Sequence, residues 1–440
     1  MEPVGFARSR AFWQRFGWGS LMGLLGGVAA FLYAGTMHQG LHLLWPTEPS
    51  LAPFSGPIRI VVIMTLAGVV VGLIHKRLPT AEVDVFAAIP TGDMPLTHVT
   101  GAVLVSLASL IGGFSLGPEA PTGIVAGALA VWLSRRQKLP AAIRRTNLLS
   151  AVAGAFAGLF TAPFGVLLMG LELRHRQTGY YYGTLAIVAI ASLLGFTVFY
   201  TVGGDRFSQS LRLLELPPYS LAQWHIPLAI LLGLLAVPLA LLFAQLLKTL
   251  HHLMAPLHHR PILRCGAVGL LLGLLAMAMP STLFLGSAGL AAVVSDQAQL
   301  SIGFILVATL LKILATTTAL AAGFIGGPIF PLFFVGGATG VVVAKLLPAI
   351  PVALAVASLM AAVPGAIVPF PITLGLIVLL VASVPVQNAI PVMTATLTAH
   401  LVFQGVVRRS PLPTDQQHRD IDAELQAQDV LLDPLPNEQP

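Results

Sequence analysis

Long apolar runs alternate with short polar stretches along nearly the whole chain. Runs at 17–45, 58–75, 97–113, 120–134, 147–173, 180–202, 224–249, 262–279, 302–322, 329–347, 351–364, 371–385 and 388–407 carry almost no charge. A helix that crosses a bilayer needs about 20 apolar residues. Several runs are shorter, and several start or stop at Gly or Pro, so the pattern predicts broken, tilted helices that end inside the membrane. Such ends persist only where they are buried in protein or line a polar cavity. The expectation is an all-α integral membrane protein whose bundle holds a polar pathway, not a simple anchor.

Charge sharpens this picture. The 440 residues include 23 Lys+Arg and 17 Asp+Glu, 9% charged, against roughly 25% in soluble domains. A large soluble enzyme, a disordered chain and a nucleic-acid binder are excluded. Seven of the 17 acids lie in the last 32 residues, so the membrane region 17–410 is followed by an acidic tail, 411–440, expected to be disordered. The segment 1–16 carries Arg8, Arg10 and Arg15. It precedes an apolar run too long for a signal sequence, which predicts an uncleaved first helix with its N-terminus in the cytoplasm. The other basic groups fall on the same face: Arg135, Arg136, Lys138, Arg144 and Arg145; Arg174 and Arg176; Lys248, Arg260 and Arg264; Arg408 and Arg409. The cation-poor loops 46–57 and 203–223 belong outside. The reading is a multi-pass protein of the cell membrane with both termini cytoplasmic. The single cysteine, Cys265, excludes an internal disulfide and a Cys-rich metal site.

The chain also repeats itself. Gly113-Phe114-Ser115-Leu116-Gly117-Pro118-Glu119-Ala120-Pro121 and Gly323-Phe324-Ile325-Gly326-Gly327-Pro328-Ile329-Phe330-Pro331 share one pattern at an offset of 210, and Gly127 and Gly337 extend it. Gly158 to Pro163-Phe164 loosely matches Gly365 to Pro369-Phe370. Two halves, about 17–202 and 224–408, with matched Gly/Pro breaks suggest a duplicated transporter whose site lies where the repeats meet.

Those breaks carry chemistry. Pro suits the first position of a helix, where the N–H is unpaired anyway. The free amides of the first turn and the helix dipole make a buried helix start an anion site built from backbone. Gly117, Glu119 and Ala120 stand at one such start, Gly327 and its successors at the other. Two converging ends would bind an inorganic anion without a full positive charge in the lipid core. Glu119 is an acid in an apolar region at the positive end of a helix. Its carboxylate can occupy an anion position and leave when protonated, which makes it a gate and a proton carrier. The alternative is a helix-capping Glu paired with an arginine; Ile329 at the matching place of the other copy shows that capping needs no acid.

The Gly117–Pro121 and Gly327–Pro331 motifs and the two-half organisation resemble the CLC chloride channel and transporter family, over about residues 17–410. The resemblance implies two inverted repeats, a homodimer with one anion pathway per subunit, Glu119 as external gating glutamate, and amides of Ile329 and Phe330 facing the anion. Chloride is the implied anion; fluoride or nitrate stays open. Three departures follow. Lys76, in His75-Lys76-Arg77-Leu78-Pro79, stands where the family places a serine at the inner anion; otherwise it marks the cytoplasmic end of the 58–75 helix. No tyrosine follows Tyr219, and Pro413 falls near the place of the family's central tyrosine. Leu173 takes the place of the internal proton glutamate, with Glu172 one residue before it; Glu172 either substitutes or is an interfacial acid beside Arg174 and Arg176. A passive channel and a proton-coupled exchanger therefore both remain.

Other positions are weaker. His38 and His42 have a spacing that can present two imidazoles on one helix face, but an interfacial pair needs no metal, and no cofactor is expected. His251, His252, His258 and His259 border a cytoplasmic loop. Lys312 lies in an apolar run, either lining a cavity or paired with an acid. An intramembrane enzyme would need a cluster of reactive groups at depth, which the sequence does not offer; a non-transporting scaffold is the other alternative class.

Overall fold

The computed structural model describes residues 10–46, 54–80, 83–172, 181–210 and 214–407. The acidic tail, the segment before Arg10, Leu173, Arg174, Arg176, Arg408, Arg409 and Pro413 lie outside the described residues.

The described residues form sixteen α-helices. The first half holds α1 (Arg10–Leu44), α2 (Arg59–Arg77), α3 (Val85–Ala88), α4 (Leu96–Ile111), α5 (Glu119–Arg136), α6 (Ala141–Leu159), α7 (Pro163–Glu172) and α8 (Tyr181–Ser210). The second holds α9 (His225–Met254), α10 (Pro261–Ala278), α11 (Ser287–Ser295), α12 (Ile302–Ala321), α13 (Ile329–Leu346), α14 (Val352–Ile367), α15 (Pro371–Val381) and α16 (Ala389–Val407). Each helix of the first half has a counterpart starting 202 to 215 residues later. Eight are long and apolar enough to cross a membrane, and α4, α7, α14 and α15 are shorter apolar helices.

Packing repeats with the order. α1 lies on α6 and α8 as α9 lies on α14 and α16; α5 lies on α6 as α13 lies on α14. The two halves are inverted repeats. Arg135 near the end of α5 reaches back to Asp93 before α4 at 2.5 Å. In the second half Lys345 near the end of α13 reaches the Gln297 carbonyl before α12 at 2.5 Å. Equivalent parts meet directly on the axis: α2 packs on α10 and α7 on α15, the Phe114 and Phe324 rings lie 4.1 Å apart, and Gly117 pairs with Gly327 in an antiparallel bridge.

Close approach of helices explains many glycines. Lipid is as apolar as any side chain, so helices in a membrane associate through tight packing of small residues. A Cβ on Gly68 of α2 would strike the Cys265 carbonyl of α10, and one on Gly269 of α10 would strike the Met64 carbonyl of α2.

The apolar runs anticipated most helices within a few residues, with two differences. The run 147–173 is two helices. Thr161, at φ 49°, turns the chain between α6 and α7, and Pro163 then opens α7. The short α3 and α11 fall between the apolar runs. α3 forms because Asp84 accepts the free amides of Phe86 at 2.8 Å and Ala87 at 3.1 Å, the usual chemistry of an N-cap.

Candidate functional site

The two copies of the motif meet face to face. Gly117 N–H donates to the Gly327 carbonyl and Gly327 N–H to the Gly117 carbonyl, both at 2.7 Å. Pro118 and Pro328 precede α5 and α13. Each then begins inside the protein, and its first amides have no carbonyl one turn earlier to accept them. A tight turn prepares both starts: Gly113 at φ 87° and Gly323 at φ 90° adopt a left-handed conformation that only glycine takes freely.

Glu119 crosses from one repeat to the other. Its side chain is 2% exposed. The Ile329 amide, first in α13, donates to Glu119 Oε1 at 2.7 Å, and the Phe330 amide also faces the carboxylate. The other oxygen, Oε2, is buried without a hydrogen-bond partner. A side chain on Gly117 or Gly327 would collide with this carboxyl group, so both glycines are there for space. The start of α13 is thus occupied by the protein's own carboxyl group. Phe160 lies stacked on Phe330 at 5.4 Å and walls the site on one side. Ser115 Oγ and Thr316 Oγ1, 2.8 Å apart and buried, tie the first motif to α12. Ala120, half-buried, stands in the first turn of α5.

Sequence reasoning placed Glu119, Ile329 and Phe330 together, and the structure brings them together. Gly117 and Gly327 differ from expectation. Their amides are consumed by each other, because the repeats pair as a short antiparallel bridge, and neither is free for an anion. Lys76 also departs from the anion-site expectation. It is exposed in the last turn of α2, outside the buried cluster, because the helix simply ends there.

Glu172 closes a different helix start. Its Oε1 accepts the Ile372 amide at 2.7 Å; its Oε2 accepts the Thr373 amide at 2.8 Å and the Thr373 hydroxyl at 2.6 Å. This last residue of α7 is therefore the N-terminal cap of α15, across the repeat boundary. Lys312 has no acid partner among the described residues. It is fully buried, with Nζ 2.8 Å from the carbonyls of Leu283 and Phe284 and 3.3 Å from those of Ser281 and Thr282. The same connection braces the first motif, since Phe284 N–H donates to the Gly113 carbonyl at 3.0 Å. His38 and His42 are exposed, their Nε2 atoms 3.0 Å apart.

Sequence reasoning missed Phe160, Thr316 and the carbonyl cage of Lys312. A lone lysine in an apolar run was the signal for the cage, but nothing in the sequence names four main-chain carbonyls as the partner.

The family profile described as voltage-gated chloride channel matches residues 67–404. YfeO of Escherichia coli O7:K1, a protein assigned by its name to ion transport, is 30% identical over 327 residues, 72% of this chain and 75% of that one. YfeO of Escherichia fergusonii is 29% identical over 326 residues, 71% of this chain and 75% of that one. Among solved structures, a slow cyanobacterial Cl−/H+ antiporter superposes with a TM-score of 0.74 at 18% identity, covering 89% of this chain and 94% of that one. A CLC-type fluoride/proton antiporter gives 0.70 at 20% identity, covering 89% and 95%.

Proposed function

The chain belongs to the voltage-gated chloride channel family, and on that premise we propose that it carries chloride between the starts of α5 and α13, with Glu119 as the gate. The family is one of channels and transporters of inorganic anions, not of enzymes.

The observation that carries this reading is the hydrogen bond from Ile329 N–H to Glu119 Oε1 across the repeats. A carboxylate and a chloride compete for the same amides. When the carboxyl group takes up a proton it loses its charge, and with it most of its attraction to the helix start. The neutral side chain swings out and an anion takes the amides. Partial charges from backbone hold the anion firmly enough to strip its water and loosely enough to release it.

Glu119 supplies one proton station. Glu172 does not supply a second in this reading, because three hydrogen bonds tie its carboxyl group to the start of α15 as a cap. The proposal is therefore passive anion conduction opened by protonation; a proton-coupled exchanger is the alternative. The reading takes the homodimer with one pathway per subunit that the family implies, in the cell membrane, basic helix ends toward the cytoplasm.

Reconstitution in liposomes under a chloride gradient, with proton movement recorded in the same vesicles, tests this. Chloride efflux should rise as pH falls, without uphill proton movement. Glu119→Gln should conduct at every pH. Flux in that variant as pH-sensitive as in the parent would remove Glu119 as the gate, and uphill proton movement in the parent would establish exchange.

A further inference from the structure

A second cationic site lies away from Glu119. The turn that leads into the second motif is held by side chains of the α2–α10 pair. His75 Nε2 lies 2.9 Å from the Gly323 carbonyl, and its Nδ1 contacts the Thr80 hydroxyl. Cys265 Sγ donates to the Ala322 carbonyl at 3.4 Å. Between them stands Arg264, in the first turn of α10 and 5% exposed. Its Nη1 lies 2.8 Å from His258 Nδ1, and its Nε is buried with no partner. Nη2 approaches the Gly323 turn closely: a Cβ on Gly323 would lie 3.0 Å from it and 3.3 Å from His75 Nε2.

The electrostatics of this cluster are one-sided. Arg264 makes no ion pair among the described residues, and its titratable neighbours there are His75, His258 and Cys265. His251 stands behind His258, their rings 6.3 Å apart. A guanidinium cannot shed its proton, and burying an uncompensated charge costs several kcal/mol. Its exposed neighbour His258 leaves it a route to solvent. A group with these properties is completed by a small anion.

We propose that Arg264, flanked by His258 and the Gly323 turn, binds a monovalent inorganic anion on the face of the molecule that carries the basic helix ends. The site stands on its own buried cation and does not depend on Glu119 as a gate. Its Gly323 turn lies four residues before Gly327, so a bound anion also fixes the turn that presents the α13 amides.

Bromide is the probe. Anomalous diffraction from full-length protein crystallised in bromide should show an ion within hydrogen-bond distance of the Arg264 guanidinium. Bromide found only between α5 and α13, or nowhere, overturns the proposal. In solution, Arg264→Gln should weaken bromide binding at this site by about tenfold or more, the usual worth of a charged hydrogen bond, while Arg264→Lys retains most of it. If Arg264→Gln fails to fold, the bromide position in the unaltered protein still decides. Because Glu119→Gln flux is measured separately, failure of this site and failure of the gate are told apart.

Discussion

Glu119 and Glu172 are both carboxylates held at helix starts of the opposite repeat, and their surroundings assign them different work. Glu172 has both oxygens engaged by two amides and a hydroxyl, whereas Glu119 has one oxygen engaged and one buried without a partner. Fully satisfied groups hold structure, and an unsatisfied buried one asks for an explanation; the proposed gating movement would provide it for Glu119. Glu172→Gln should cost about 1–3 kcal/mol through the amide it turns toward backbone donors, read as a lower melting temperature with the pH dependence of flux retained. Loss of that pH dependence at unchanged melting temperature would return Glu172 to the proton path. Lys312→Met removes the donor from four carbonyls and should destabilise by about 1–3 kcal/mol; an unaltered melting temperature would show that water replaces the ammonium. At this scale the sequence was legible where chemistry is local. An acid beside Pro in an apolar run marked Glu119, and the repeat marked its partner. The pairing of Gly117 with Gly327 and the burial of Arg264 depend on contacts over roughly two hundred residues, and a cation at a helix start reads as a loop charge.

Among the elements, helix starts are where carboxylates collect. Asp84 caps α3, Glu119 fills the start of α13 and Glu172 that of α15. A chain that breaks its helices within a membrane must satisfy their free amides from within; Glu119 and Glu172 do so, whereas Asp84 caps α3 at an exposed position. Apolar length gave most helices, because lipid demands it. Apolar length alone did not show the α6–α7 break, since a single turn at Thr161 interrupts the run without adding polarity; the Gly158–Pro163 match to the second half pointed to it. The crossings of α1, α6 and α8 show the other constraint. Side chains on Gly23, Gly154 and Gly195 would strike the facing backbones, whereas Gly35 of α1 has open space around it. Gly154→Ala should destabilise by about 1–3 kcal/mol through overpacking. Gly35→Ala should be neutral or stabilising by up to about 1 kcal/mol from helix propensity. Thermal unfolding of the two variants compares them, and equal shifts would contradict the packing described.

For the whole molecule, the inverted repeat means that neither half is complete. α2 needs α10, α7 needs α15, and the two motifs need each other. A chain divided between α8 and α9 should regain anion flux when its halves are co-expressed, and each half alone should be degraded; a half that folds by itself would show the interface to be dispensable. The bridge between Gly117 and Gly327 has a further, kinetic consequence. Two main-chain hydrogen bonds of 2.7 Å bolt the halves together at the very point around which they would have to rock. In the proposed mechanism the fold is therefore a fixed frame with one swinging side chain. The activation enthalpy of flux should be small, that of a rotamer change and ion passage, and far below that of rearranging domains. A steep Arrhenius slope for the Glu119→Gln variant, which has no gate left to wait for, would mean that the bolt opens.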